Sequence, residues 1–174
     1  MLTLTSTRPT SLPQASSTLD EFVEGRFQPV LADPDADREK VTRLLLCSGK
    51  IYYDLVGHAT RENTAEVAVG RVELLYPFPQ AEILALVESY PNLHEVLWVQ
   101  EEPRNMGARA HMSPRLLQIL PDKLQFGYVG RPERAASGEG YPVAHANEQD
   151  RIVSTALDLG QPVSPYPRKP PGER

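Results

Sequence analysis

Between residues 41 and 159 the apolar positions of this chain alternate between two spacings. Short runs rich in Val, Leu and Ile predict β-strands at residues 42–47, 66–72, 94–100 and 124–129. Each run is nearly continuous in apolar character, as expected where both faces of a sheet are covered. Between and after them the spacing shifts to a helical period, predicting helices at residues 50–62, 80–89, 107–120 and 143–157. In the second of these Ile83, Leu84, Leu86 and Val87 fall on one side, and in the last Ile152, Val153, Ala156 and Leu157 do the same. Four β-α units joined by short connections predict an α/β fold: three layers, α/β/α, around a mostly parallel sheet.

The flanks differ. Residues 1–40 read as a polar leader broken by Pro9, Pro13, Pro29 and Pro34, with one short helix after Ser17 that Gly25 ends. Residues 1–19 hold no acid and a single basic residue, Arg8, which suits a disordered leader better than a transit peptide. Residues 160–174 carry five prolines and read as a solvated tail. The expected organisation is therefore 1–40 leader, 41–159 α/β domain and 160–174 disordered tail.

Composition narrows the function classes. With 174 residues and 40% hydrophobic content the chain has enough material for one domain with a core. A net charge of −5 argues against a nucleic-acid partner, which calls for a basic stripe against phosphates. No apolar run approaches the ~20 residues needed to cross a bilayer, so no membrane partner is expected. The single cysteine, Cys47, rules out an intrachain disulfide and suits a reducing compartment. A cytoplasmic protein is the expectation.

Chemistry is concentrated where strands end. Residues 100–107, Gln-Glu-Glu-Pro-Arg-Asn-Met-Gly, follow the third strand and open a helix, at the sheet end where open α/β folds bind ligands. Glu101 and Glu102 are adjacent strand residues and point to opposite faces, which suits structural or interface duty better than an acid–base pair. One of them is expected to stabilise the helix start at residues 105–107. Gly49-Lys50 lacks the upstream glycine of a P-loop, and Ile51 stands where Ser or Thr would bind magnesium. Ser48 and Gly49 beside Lys50 remain either an anion-accepting helix start or a helix cap with a solvated lysine. Gly138-Glu139-Gly140 lacks the third glycine of a dinucleotide fingerprint and reads as a flexible turn. His58, His94, His111 and His145 show no metal-ligand spacing. Cys47 reads as a small buried hydrophobe rather than a reactive thiol. Tyr76 and Phe78, set among Pro77 and Pro79, form either a rigid connector or an interface anchor. Arg131 and Arg134, with a helix start near His145, are either a phosphate site or surface charge alone, and Glu133 and Glu139, which weaken the field, tilt the local residues toward the latter.

In combination these segments carry a family resemblance. Leu46-Cys47-Ser48-Gly49-Lys50-Ile51-Tyr52-Tyr53-Asp54-Leu55, Arg71 through Pro79, Gln100 through Gly107, Tyr128-Val129-Gly130-Arg131-Pro132 and His145 resemble the C-terminal domain of the 2-oxoglutarate dehydrogenase E1 component. The likeness runs from about residue 19 to residue 157. It implies a transketolase C-terminal-like fold and a place in a citric acid cycle oxidoreductase. In that family thiamine diphosphate and magnesium sit between two preceding domains, held by a Gly-Asp-Gly…Asn motif. Gly138-Glu139-Gly140 is not that motif, and Asn147 follows too closely.

The resemblance thus implies a fragment or detached subunit with no catalytic residue, no cofactor of its own and no decarboxylase activity alone. Its partners would be the remaining E1 domains or subunits, and its role assembly or regulation. Some relatives bind acetyl-CoA or a nucleotide such as AMP after the fourth strand, which implies Arg131 and His145 as ligand residues, with Lys50 as a charged neighbour. Tyr76, Phe78, Glu101, Glu102 and Asn105 are the signature and interface positions. Two departures stand out: Arg134-Ala135-Ala136-Ser137 replaces a serine-rich stretch, and Arg109 replaces an aromatic residue after Gly-Ala. An independent ligand-binding module and a functionless truncated product are the other readings.

Overall fold

The structure, a computed structural model, describes residue 16, residues 19–23 and residues 25–161. Residues 1–15, 17, 18 and 24, within the expected leader at 1–40, and residues 162–174 of the expected tail lie outside the described residues. After a short helix α1 (Leu19–Val23), the elements run β1 (Val30–Leu31), β2 (Arg43–Cys47), α2 (Ile51–Val56), a 3-10 turn (Ala59–Asn63), β3 (Val67–Val72), α3 (Gln80–Glu88), β4 (Glu95–Pro103), α4 (Arg109–Ile119), β5 (Gln125–Arg131) and α5 (Pro142–Leu157).

The sheet order is β1-β3-β2-β4-β5. β3, β2, β4 and β5 are parallel, and β1 runs antiparallel on the edge of β3. Alternation along the strands sorts the core into two layers. Leu44, Leu46, Val96 and Trp98 pack with Ile83, Leu86 and Val87 of α3 and Met112 and Leu116 of α4. Leu45, Cys47, Leu97 and Val99 pack with Ile51 and Leu55 of α2 and Ile152, Val153, Ala156 and Leu157 of α5. The fold is the expected α/β/α sandwich with a mostly parallel sheet, of the transketolase C-terminal-like kind.

Three local features differ from the sequence pattern. The helix expected over residues 50–62 stops at Val56, because Gly57 is a poor helix former and His58 turns extended, with φ −74° and ψ 139°. His58 Nδ1 then accepts the Thr60 backbone N–H and starts the 3-10 turn. The edge strand β1 was not evident in the sequence, since two residues cannot display a period. It is held by Asp33, which accepts the buried Val69 N–H at 2.9 Å and pairs with Arg61. Finally, β4 runs on to Pro103. Its register with β5 shifts between Val99 and Pro103, and the strand resumes pairing at Pro103 opposite Arg131.

That topology sets the site. From β2 the chain goes one way to β3, then crosses back over β2 to β4, so the carboxyl ends of β2 and β4 flank a topological switch point.

Candidate functional site

A connected polar network occupies the switch point. Lys50, directly before α2, pairs with Asp54 one turn further on and with Glu101 Oε2 at 3.5 Å. Gln149 on α5 donates from Nε2 to Asp54 Oδ2 at 2.8 Å and to Glu101 Oε2 at 3.3 Å. Its Oε1 accepts from Arg131 at 3.2 Å. Arg131, at the end of β5, is 1% exposed, and all of its nitrogens are engaged. Its Nε donates to both oxygens of Glu139, at 3.2 and 3.1 Å. One terminal nitrogen donates to the Glu101 backbone carbonyl, and the other lies 3.3 Å from His145 Nδ1.

Two of the three expected ligand residues meet, and the third belongs to the same network. Arg131 and His145 touch, and Lys50 joins them through Gln149 and Glu101. Lys50 is no isolated solvated lysine, because two carboxylates hold it. α2 spans six residues. Sequence reading missed Asp54 and Gln149 as members of the network. Both stand four residues beyond a candidate, Asp54 after Lys50 and Gln149 after His145, the spacing that puts side chains on one helix face. Burial opposes ionisation of Glu139, but its own backbone N–H and the Arg131 guanidinium win and hold the carboxyl below the usual range.

The octet at residues 100–107 works through Gln100, which is 3% exposed. Its Oε1 accepts from Trp98 Nε1 at 3.0 Å and from the Arg109 backbone N–H at 2.9 Å. Its Nε2 donates to the carbonyls of Met106, Pro103 and Glu102 at 2.8, 3.1 and 3.3 Å. One amide thus pins both the loop and the start of α4. The glutamates diverge, as adjacent strand residues do: Glu102 Oε2 lies beside Gly107 at the helix entry, while the first helical N–H goes to the Gln100 amide. Glu101 faces Lys50 and α5. Glu102 turns to the loop, where burial raises its carboxyl pKa. Gly107 closes the octet at φ +65°, and a Cβ there would stand 2.9 Å from Glu102 Oε2 and 3.0 Å from Gln100 Nε2. Only glycine fits.

The other signature positions separate. Asn105 is exposed and ties the octet to the loop after β5, donating to the Arg134 carbonyl at 3.0 Å and accepting its N–H at 3.2 Å. Phe78 is half-buried against the α3–α4 core layer, whereas Tyr76 is 70% exposed. The Tyr76–Pro77 peptide is cis. Arg109 sets its guanidinium 5.1 Å over the Tyr128 ring in a cation–π contact. Burial is the main cause that pushes the Tyr128 hydroxyl up to about 12.

No group of three or more His, Cys, Asp or Glu able to hold a metal occurs among the described residues, and Glu139 of Gly138-Glu139-Gly140 is committed to Arg131. No helix among the described residues is long and apolar enough to cross a membrane.

A doubly wound α/β domain with a charged network at its switch point defines the class. The 2-oxoglutarate dehydrogenase C-terminal family model matches residues 16–157, and the chain belongs to that family. It is 43% identical over 148 residues to a 2-oxoglutarate dehydrogenase E1 component of Geobacillus sp. (strain WCH70), covering 83% of this chain and 16% of the relative. The E1 component of Bacillus cereus (strain AH820) is 42% identical over 153 residues, 84% of this chain and 16% of the relative. That of Bacillus pumilus (strain SAFR-032) is 43% identical over 149 residues, 83% of this chain and 16% of the relative. The chain thus spans about one sixth of the length of these relatives.

Proposed function

We propose that this chain acts as the C-terminal domain of a 2-oxoglutarate dehydrogenase E1 component. It is non-catalytic alone and contributes to assembly or regulation of the citric acid cycle complex. The observation that carries this reading is the match over 83% of the chain to 16% of the relative. Its partners are the remaining E1 domains or subunits, which supply thiamine diphosphate and magnesium, and its compartment is the cytoplasm.

Tyr76, Phe78, Glu101, Glu102 and Asn105 are proposed as signature and interface positions. Among them Tyr76 supports a contact role best, since a large ring at 70% exposure on a proline-braced segment is ready to bury area against a partner. Co-purification of the chain with a protein carrying the remaining E1 domains tests the reading, together with recovery of oxoglutarate decarboxylation by an E1 truncated before this region. Tyr76→Ser is expected to weaken that association by about tenfold or more. A chain that neither binds such a protein nor restores the truncated enzyme overturns the proposal.

A second reading has its own observation: Arg131 and His145, 14 residues apart in sequence, meet at 3.3 Å, and Lys50 is linked to them through Glu101 and Gln149. That arrangement supports a site for the phosphates of acetyl-CoA or an adenine nucleotide, in an independent module or within the assembled enzyme. Calorimetry with acetyl-CoA and AMP, repeated on Arg131→Ala and His145→Ala chains with unchanged thermal unfolding, tests it. No heat, or the same heat in both variants, removes this reading.

A further inference from the structure

Two guanidinium groups and an imidazole converge on Glu139. Arg131 Nε contacts both carboxylate oxygens, His145 Nδ1 lies 3.5 Å from Oε2, and an Arg134 terminal nitrogen lies 3.9 Å from Oε1. Among the described residues Glu139 is the one carboxylate in ion-pair range of Arg131. The guanidinium's other donors go to the Glu101 carbonyl, His145 and Gln149. Glu139 thus fills the place that an external anion would need, directly against a buried guanidinium.

The segment carrying Glu139 joins β5 to α5 over residues 132–141 and contains neither helix nor strand. Glycines flank the glutamate on both sides. Neither has a positive φ, a Cβ at Gly140 would meet nothing within 4 Å, and one at Gly138 would only touch His145 Nδ1 at 3.8 Å. The observed closed arrangement therefore has no need of glycine at either position. What two glycines add is access to other backbone conformations.

We propose that Glu139 is an internal counter-anion, swinging away on its two glycines to yield Arg131, Arg134 and His145 to a phosphate-bearing ligand. This rests on the second reading above and deepens it by naming what regulates the site. With Glu139 in place, the two arginines and the carboxylate sum to one positive charge. With Glu139 displaced they offer two, which matches a phosphate monoester of about −1.5 to −2 charge. His145 and Arg134, with half and 42% of their side chains exposed, form the open rim, and Arg131 the floor. Apparent affinity then scales with the fraction of molecules in which Glu139 is displaced.

The test uses the full chain with AMP and inorganic pyrophosphate as probes, in calorimetry at low ionic strength. Glu139→Gln is expected to bind both about tenfold or more tightly than the unmodified chain, since a charge-assisted competitor is gone. Adding Arg131→Ala to that variant should abolish the gain. Gly140→Ala, which the closed loop accommodates, should bind several-fold more weakly because the escape of Glu139 is restricted. If the unmodified chain binds and Glu139→Gln binds no tighter, the counter-anion role is overturned while the anion site stands. If neither binds either probe, both fall. Should Glu139→Gln fail to fold, Glu139→Asp, with its shortened reach, must bind more tightly than the unmodified chain or the proposal is lost.

Discussion

The indole N–H of Trp98 donates to the side-chain oxygen of Gln100, two residues along the same strand and on the same face, at 3.0 Å. That oxygen also receives the first helical N–H of α4, from Arg109 at 2.9 Å. The core's one tryptophan is thereby connected to the loop at the switch point. Replacing Gln100 with Ala would strand the Trp98 and Arg109 N–H groups and loosen three carbonyls. A loss of about 2–4 kcal/mol in unfolding free energy is expected, measured by urea denaturation. A loss within 0.5 kcal/mol, the range of about an ordinary surface substitution, would show that the amide is not the organiser of the octet.

Glu102 gives a pH dependence with a definite sign. Burial raises its folded-state pKa, so the folded chain holds this proton more tightly than the unfolded one. Stability therefore falls as pH rises from the unfolded value of about 4.3 through the raised folded value. Glu102→Gln removes the charge and should be more stable than the parent at pH 7. The advantage should vanish below about pH 4. Denaturation midpoints for both chains across this window check it, and an advantage that grows on acidification contradicts the burial account.

Cys47 is fully buried, donates weakly to the Gly70 carbonyl at 3.8 Å, and burial pushes its thiol pKa up. The native chain should leave a thiol-specific disulfide reagent essentially unconsumed, and denaturant should release one equivalent per chain. Rapid native labelling at neutral pH would be incompatible with this packing.

Asp33 couples the edge strand to the domain. Its carboxylate accepts the Val69 N–H and pairs with Arg61, which also donates to the Val67 carbonyl at 2.7 Å. Asp33→Ala leaves a guanidinium and a buried N–H without their partner, and should cost about 3–5 kcal/mol. Urea denaturation measures it. A near-neutral effect would mean that residues before β2 are dispensable to the sheet.

Much of the α/β layering was legible because it rests on repetition. A buried parallel strand must be apolar on both faces, and the helices between show their period, as Ile152, Val153, Ala156 and Leu157 do. The stop of α2 at Val56 was less legible, since Gly57 and His58 lower helix propensity without forbidding it. β1 was not legible at all: its two residues owe their strand conformation to pairing with β3 and to Asp33, contacts 36 to 42 residues away.

For the site, the sequence by itself determined which strand ends carry polar chemistry, that Glu101 and Glu102 must diverge, and which family the motifs indicate. It could not order the strands, and only the order β3-β2-β4-β5 brings Lys50 of one unit beside Glu101 of another. Only tertiary structure decided that Gln100 is the organiser of the octet, that Arg131 meets His145, and that Glu139 already fills the guanidinium. Periodicity is a property of neighbours along the chain. An ion pair at a switch point depends on which strands lie side by side, and that is fixed by packing of the whole sheet.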